Sequence, residues 1–117
     1  MRNTVLLAAG MLLLLAAAPV LAHHSMAAKY DTGQAIVLNG TVTKIIWNNP
    51  HVRLYLQAPD KGVTAVWEFE MGSPNLLLQN GWKLDTFRQG DHVVVKAYPA
   101  RDGSRIGYAS KVSLSSH

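Results

Sequence analysis

Two groups of side chains in this 117-residue chain have the types and spacing for chemistry. The first is His23-His24, directly after Val20-Leu21-Ala22. If the chain is cut after Ala22, His23 carries a free α-amine beside its own imidazole. An α-amine titrates near pH 8, so a metal can displace its proton close to neutrality. Amine and imidazole on one residue chelate, and Cu(II) favours tetragonal nitrogen ligands. A second imidazole, from His24 or His51, completes a three-nitrogen copper site. The plainer alternatives are a terminal His-His that chelates copper only incidentally and one with no metal role.

The second group is His51, Arg53, Glu68 and Glu70, on two runs that flank a turn. Val52, Leu54 and Leu56 alternate with His51, Arg53, Tyr55 and Gln57; Ala65, Trp67 and Phe69 alternate with Thr64, Val66, Glu68 and Glu70. Period two gives each strand one apolar and one polar face. Pro59-Asp60-Lys61-Gly62 is turn chemistry between them. The pattern predicts a β-hairpin with Leu54 opposite Trp67 and Val52 opposite Phe69. Arg53 then faces Glu68, and His51 faces Glu70. Such pairs contribute roughly 0.2–1 kcal/mol each. The polar face reads either as a solvated surface tied by its own ion pairs or as a binding surface. In the second case Trp47 and Asn49 stand at its rim, where OB-folds bind ligands.

Other chemistry has little footing. No Ser-His-Asp arrangement stands out, Cys is absent, and no phosphate-binding Gly loop occurs. The reading is a binding module rather than an enzyme.

The elements that position these groups follow from the order of the chain. Arg2 and the apolar run Val5–Ala18, broken by Pro19 before Ala22, read as a secretory signal peptide over 1–22. The run is short for a membrane span of about 20 residues, so no stable membrane insertion is expected after cleavage. The address is then the periplasm or the exterior. Residues 23–34 form an arm that is ordered only if it docks. Residues 35–117 form one domain without disulfides.

Ile36–Trp47 is β-rich and holds Asn39-Gly40. That dipeptide is a hairpin signal, but the long flanks favour one bent strand. After the hairpin, Ser73-Pro74 suits a helix start and Gly81 its stop. His92–Tyr98 and Ile106–Leu114 are the last strands, with Ile106, Tyr108, Val112 and Leu114 expected on one face. Three strands, a short helix and two strands predict a mainly β fold, a small five-stranded OB-like barrel.

Charge bears on partners. Without Arg2, ten Lys and Arg stand against seven Asp and Glu, a mild +3. The basic residues are scattered, which argues against nucleic acid. The expected partners are a small molecule, a glycan or a protein, met by a monomer.

Several short motifs also carry a resemblance. Ala22-His23-His24-Ser25, Tyr30-Asp31, Gly40-Thr41-Val42, Asn49-Pro50-His51, Trp67-Glu68-Phe69-Glu70-Met71-Gly72-Ser73-Pro74, Gly81-Trp82 and Asp102-Gly103-Ser104 together resemble a family of small exported bacterial proteins known only as a domain of unknown function. The resemblance implies a periplasmic β-barrel-like domain and no established activity. His23 alone is similar to the histidine brace of copper carriers and oxidative polysaccharide enzymes. The function classes left open are a binding module, a copper-handling protein and an accessory subunit of an exported enzyme.

Overall fold

The computed structural model describes residues 26–115. The signal segment 1–22, His23, His24 and His117 lie outside them. Among the described residues, five strands and one short helix follow in order: β1 (Ile36–Ile46), β2 (Arg53–Asp60), β3 (Val63–Glu70), α1 (Pro74–Gln79), β4 (His92–Pro99) and β5 (Ile106–Leu114). The strands close into a barrel in the order β1-β2-β3-β5-β4. Only β3 and β5 run parallel.

Closure rests on β1. Its residues 36–41 pair with β4 and its residues 41–46 pair with β2. One strand can serve two neighbours that diverge only if it bends. Gly40 sits at the bend, where a Cβ would lie 2.4 Å from the Gln57 carbonyl oxygen and 2.8 Å from Leu56 Cγ. The register also slips between Val42 and Lys44, and such a slip sharpens local twist. Asn39-Gly40 is therefore the corner of a barrel strand and not a hairpin turn.

The interior is filled by alternate residues: Leu54 and Leu56 from β2, Phe69 from β3, Val93 and Val95 from β4, all fully buried. Trp67 lies on the same face as Phe69, with the two rings stacked at 6.2 Å. The β2–β3 turn is tighter than the sequence implies. Lys61 (φ 51) and Gly62 (φ 83) form a two-residue loop, the left-handed pair that matches strand twist. Pro59 and Asp60 extend β2 instead of turning. The observed register pairs Leu54 with Phe69 and Leu56 with Trp67, two residues from the expected one. A slip of two keeps every side chain on its face, so the buried set is as expected.

In β5 the expected face is wrong. Gly107 and Ala109 point inward, and Leu114 is exposed. Ser110 is skipped between the pairs Ala97–Ala109 and Lys96–Lys111, so the parity changes and Val112 packs against the core. Gly107 is needed beside Phe69, since a Cβ there would lie 3.0 Å from its ring.

The helix follows its capping signals. Ser73 Oγ accepts the Leu76 N–H at 3.2 Å, and Pro74 opens the first turn. At the far end, the Trp82 N–H reaches the Leu77 carbonyl and the Gly81 N–H the Leu78 carbonyl, with Gly81 at φ 94. This is a Schellman stop. Leu77 is buried, while Leu76 and Leu78 are exposed. Among the described residues no helix is long and apolar enough to cross a membrane.

Replacing Gly40 by Ala should cost about 1–3 kcal/mol, the usual range for overpacking. The neighbour it would strike is backbone and cannot swing away. Urea unfolding of Gly40→Ala tests this; wild-type stability would show that β1 does not turn its corner there.

Candidate functional site

The outward face of the hairpin carries the polar residues singled out in the sequence. Arg53 lies directly opposite Glu70, and Tyr55 opposite Glu68. The Arg53 side chain nevertheless reaches diagonally, with Nη1 3.3 Å from Glu68 Oε1. The Tyr55 hydroxyl donates to the same oxygen at 3.1 Å. His51, just before β2, places Nε2 3.3 Å from Glu70 Oε1. Its Nδ1 lies 2.8 Å from the Met71 carbonyl; a carbonyl only accepts, so Nδ1 carries the hydrogen. Both expected pairs form despite the shifted register, because long side chains span the diagonal of a ladder.

The sequence reading missed what covers this face. Residues 26–29 make a helical turn and Tyr30 a bridge to Ala100. The Asp31 N–H donates to the Pro99 carbonyl at 2.9 Å, the Arg101 N–H to the Lys29 carbonyl at 3.0 Å, and Arg101 Nε to the Ala27 carbonyl at 2.7 Å. The arm is thus docked along the end of β4. Tyr30 is 2 % exposed, with its ring 6.0 Å from that of Tyr108. Its hydroxyl donates to Glu70 Oε2, and Lys29 Nζ stands 3.5 Å from the same oxygen. A Tyr in an aperiodic segment was the available signal: a large ring with a polar tip buries well only where the tip finds a partner.

These contacts set the charge states. Burial pushes the Glu70 carboxyl up, but Tyr30, Lys29 and His51 together hold it below the ordinary glutamate range. Burial, and then the bond to Glu70, push the Tyr30 phenol well above its ordinary value. Tyr30 is a neutral donor to a carboxylate.

Between arm and hairpin lies a cleft of about 220 Å³ lined by Lys29, Tyr30, Arg53, Glu68, Glu70 and Ile106. Glu70 accepts from Tyr30 and Lys29 on one oxygen and faces His51 with the other. The Arg53–Glu68 contact uses one guanidinium nitrogen and one carboxylate oxygen, so most of the donor capacity of Arg53 remains. The expected ligand residues therefore divide. His51, Arg53, Glu68 and Glu70 come together. Trp47 does not join them; it packs against Trp82 at 6.5 Å and lines a different cleft, with Leu84, Phe87 and Arg88. Asn49 is exposed, before a cis bond to Pro50. Among the described residues no group of three His, Cys, Asp or Glu could hold a metal. The other expected ligands, His23 and His24, lie outside those residues.

Comparison with known proteins agrees with this fold. A family model with the description "Family of unknown function (DUF6152)" matches residues 11–109. No curated protein matches the chain. Among solved structures, the mitochondrial single-stranded DNA binding protein Rim1 of S. cerevisiae superposes with a TM-score of 0.52 at 13 % identity, over 69 % of this chain and 92 % of that one. A second crystal form of Rim1 gives 0.51 at 13 % identity, over 69 % and 91 %. The small single-stranded DNA-binding protein of Streptomyces coelicolor gives 0.50 at 19 % identity, over 70 % and 92 %. At these identities the likeness concerns the fold, which is the OB barrel. It also corrects the sequence reading: the exclusion of nucleic acid does not stand. That exclusion rested on scattered charge, and the same barrel serves proteins that bind single-stranded DNA.

The Tyr30–Glu70 bond should be visible in stability. A hydrogen bond to a charged group is worth about 1.5–3 kcal/mol, so Tyr30→Phe should lose about that much at pH 7. The Glu70 carboxyl lies below its ordinary 4.5 in the fold. Its contribution is therefore complete above that value and is lost as pH falls through the lowered one. Urea unfolding of wild type and Tyr30→Phe should show a gap at pH 7 that narrows in acid; an equal gap at both would refute the charged bond.

Proposed function

The chain belongs to the family of unknown function that it matches over residues 11–109, and on that premise we propose that it is an exported binding module whose ligand site is the cleft between the arm and the hairpin. Export rests on the signal-peptide pattern of residues 1–22. The cleft is smaller than the roughly 300–1,000 Å³ of sites for drug-sized ligands. Its lining holds two cations, Lys29 and Arg53, and two carboxylates, Glu68 and Glu70. That balance suits a small zwitterion.

One observation carries the assignment: Arg53 meets Glu68 through a single nitrogen and a single oxygen at the cleft. Guanidinium and carboxylate match best as a two-point fork. A ligand carboxylate completes the fork on Arg53, and a ligand ammonium takes the second oxygen of Glu68. The test is a calorimetric titration with glycylglycine, a neutral disaccharide and a single-stranded oligonucleotide. The dipeptide should bind, and Arg53→Gln should weaken it about tenfold, as loss of a charged hydrogen bond does. Binding of only the sugar or the oligonucleotide, or an unchanged Arg53→Gln, would overturn the reading.

A second reading is copper handling, favoured by the position of the arm. Glu70 takes Lys29 and Tyr30 on one oxygen and faces His51 with the other. The segment that follows His23 and His24 in the chain is thus tied to the same carboxylate as His51. With His23 as first residue, its amine and imidazole and one further imidazole are the donors. The check is Cu(II) titration of the processed protein, its N-terminus verified by mass spectrometry, beside a variant with one extra Ala before His23. Tight one-to-one binding abolished by the extra residue supports the site. Equal weak binding in both retires it.

A further inference from the structure

We propose a second binding site, for a small aromatic anion, in the cleft between the end of β1 and the connection from α1 to β4. This cleft of about 350 Å³ is lined on one side by Thr43, Lys44, Ile45 and Trp47, and on the other by residues 84–89 except Thr86. It is independent of the arm–hairpin cleft and shares no residue with it.

Its two walls are held in place by the barrel. The Gly90 N–H donates to the Val42 carbonyl at 2.8 Å, and the Val42 N–H to the Asp91 carbonyl at 2.9 Å. The Arg88 N–H is fixed by Asp91 Oδ2 at 2.9 Å. Phe87 is buried, with its ring 4.9 Å from that of Trp82. The wall is thus anchored at both sides of Arg88. A connection without regular structure is pre-organised here, which lowers the ordering cost of binding.

The chemistry of the lining points to the ligand. Ile45, Trp47, Leu84 and Phe87 supply apolar surface, and Leu84 leaves 68 % of its area exposed. Trp47 carries a buried Nε1–H with no acceptor among the described residues, and a buried donor without a partner calls for an explanation. Lys44 and Arg88 bring two positive charges against the one negative charge of Asp85. The Arg88–Asp85 contact is 3.3 Å between two well-exposed groups, a pair of little strength, so the guanidinium is free to exchange partners. Lys44 Nζ lies 5.4 Å from the Tyr55 ring, which holds it over the β1–β2 side. Aromatic and aliphatic walls with a net positive rim select a flat apolar body bearing one anionic group. The volume admits one or two rings.

Trp47 supplies the readout. In a proton–nitrogen correlation spectrum its indole N–H signal is identified by its loss in Trp47→Phe. Benzoate should move that signal saturably. Benzyl alcohol, of the same shape without the charge, should bind about tenfold more weakly, as should benzoate to a Lys44→Gln, Arg88→Gln double variant whose remaining spectrum stays folded. Inorganic phosphate should leave the signal in place. No movement with benzoate would overturn the site. Equal binding of the alcohol, or an unchanged double variant, would overturn the charge selection. A phosphate response matching benzoate, or tighter binding of octanoate, would overturn the aromatic assignment.

Discussion

Every other feature of this barrel depends on β1 pairing with two partners at once. A five-stranded sheet becomes a closed barrel only if its first strand reaches both β2 and β4. That demand places a residue without a Cβ at position 40 and a slipped register between Val42 and Lys44. Closure in turn gives the interior its size. Leu54, Leu56, Phe69, Val93 and Val95 are fully buried in it, and Gly107 leaves room for the Phe69 ring. The core is uniformly apolar, with no buried polar or charged residue among the described ones. The charged chemistry is therefore displaced to the outside of the hairpin.

On that outer face, Glu70 has the most partners. It is directly opposite Arg53 in the ladder, yet its oxygens turn to Tyr30, Lys29 and His51. The carboxylate joins a segment 40 residues away in sequence to the hairpin. Burial works against its charge, and the bond from Tyr30, together with Lys29 and the charge of His51, outweighs that cost. Glu68, two residues along, is engaged less fully, through one oxygen. Neighbouring glutamates on one strand face thus take different roles. One holds the arm and the other stands at a cleft with unused capacity.

Two clefts arise where chain outside the ladders lies against the barrel. The arm crosses the hairpin face and encloses a small, charge-balanced space. The connection after α1 runs along the end of β1 and encloses a larger, more apolar one. Trp47 belongs to the second because its ring packs toward Trp82, on the side of the helix. The OB fold leaves these connections free to vary while the ladders stay fixed, which is why likeness to DNA-binding barrels at 13–19 % identity establishes architecture alone.

How much of this was legible depends on the range of the interaction involved. The sequence by itself determined the strands, because period-two alternation reports burial directly. Ser73-Pro74 and Gly81 likewise marked the helix, since a cap is a contact within a few residues. The pairs Arg53–Glu68 and His51–Glu70 were legible too, although for an incomplete reason: the register was two residues off, and diagonal reach restored them. The β5 face was not legible, because a bulge at Ser110 changes parity without altering composition. Nor was the docking of Tyr30 on Glu70 or the turning of Trp47 away from the hairpin face. Each is decided by which segments the closed barrel brings side by side, a long-range packing outcome that local periodicity does not encode.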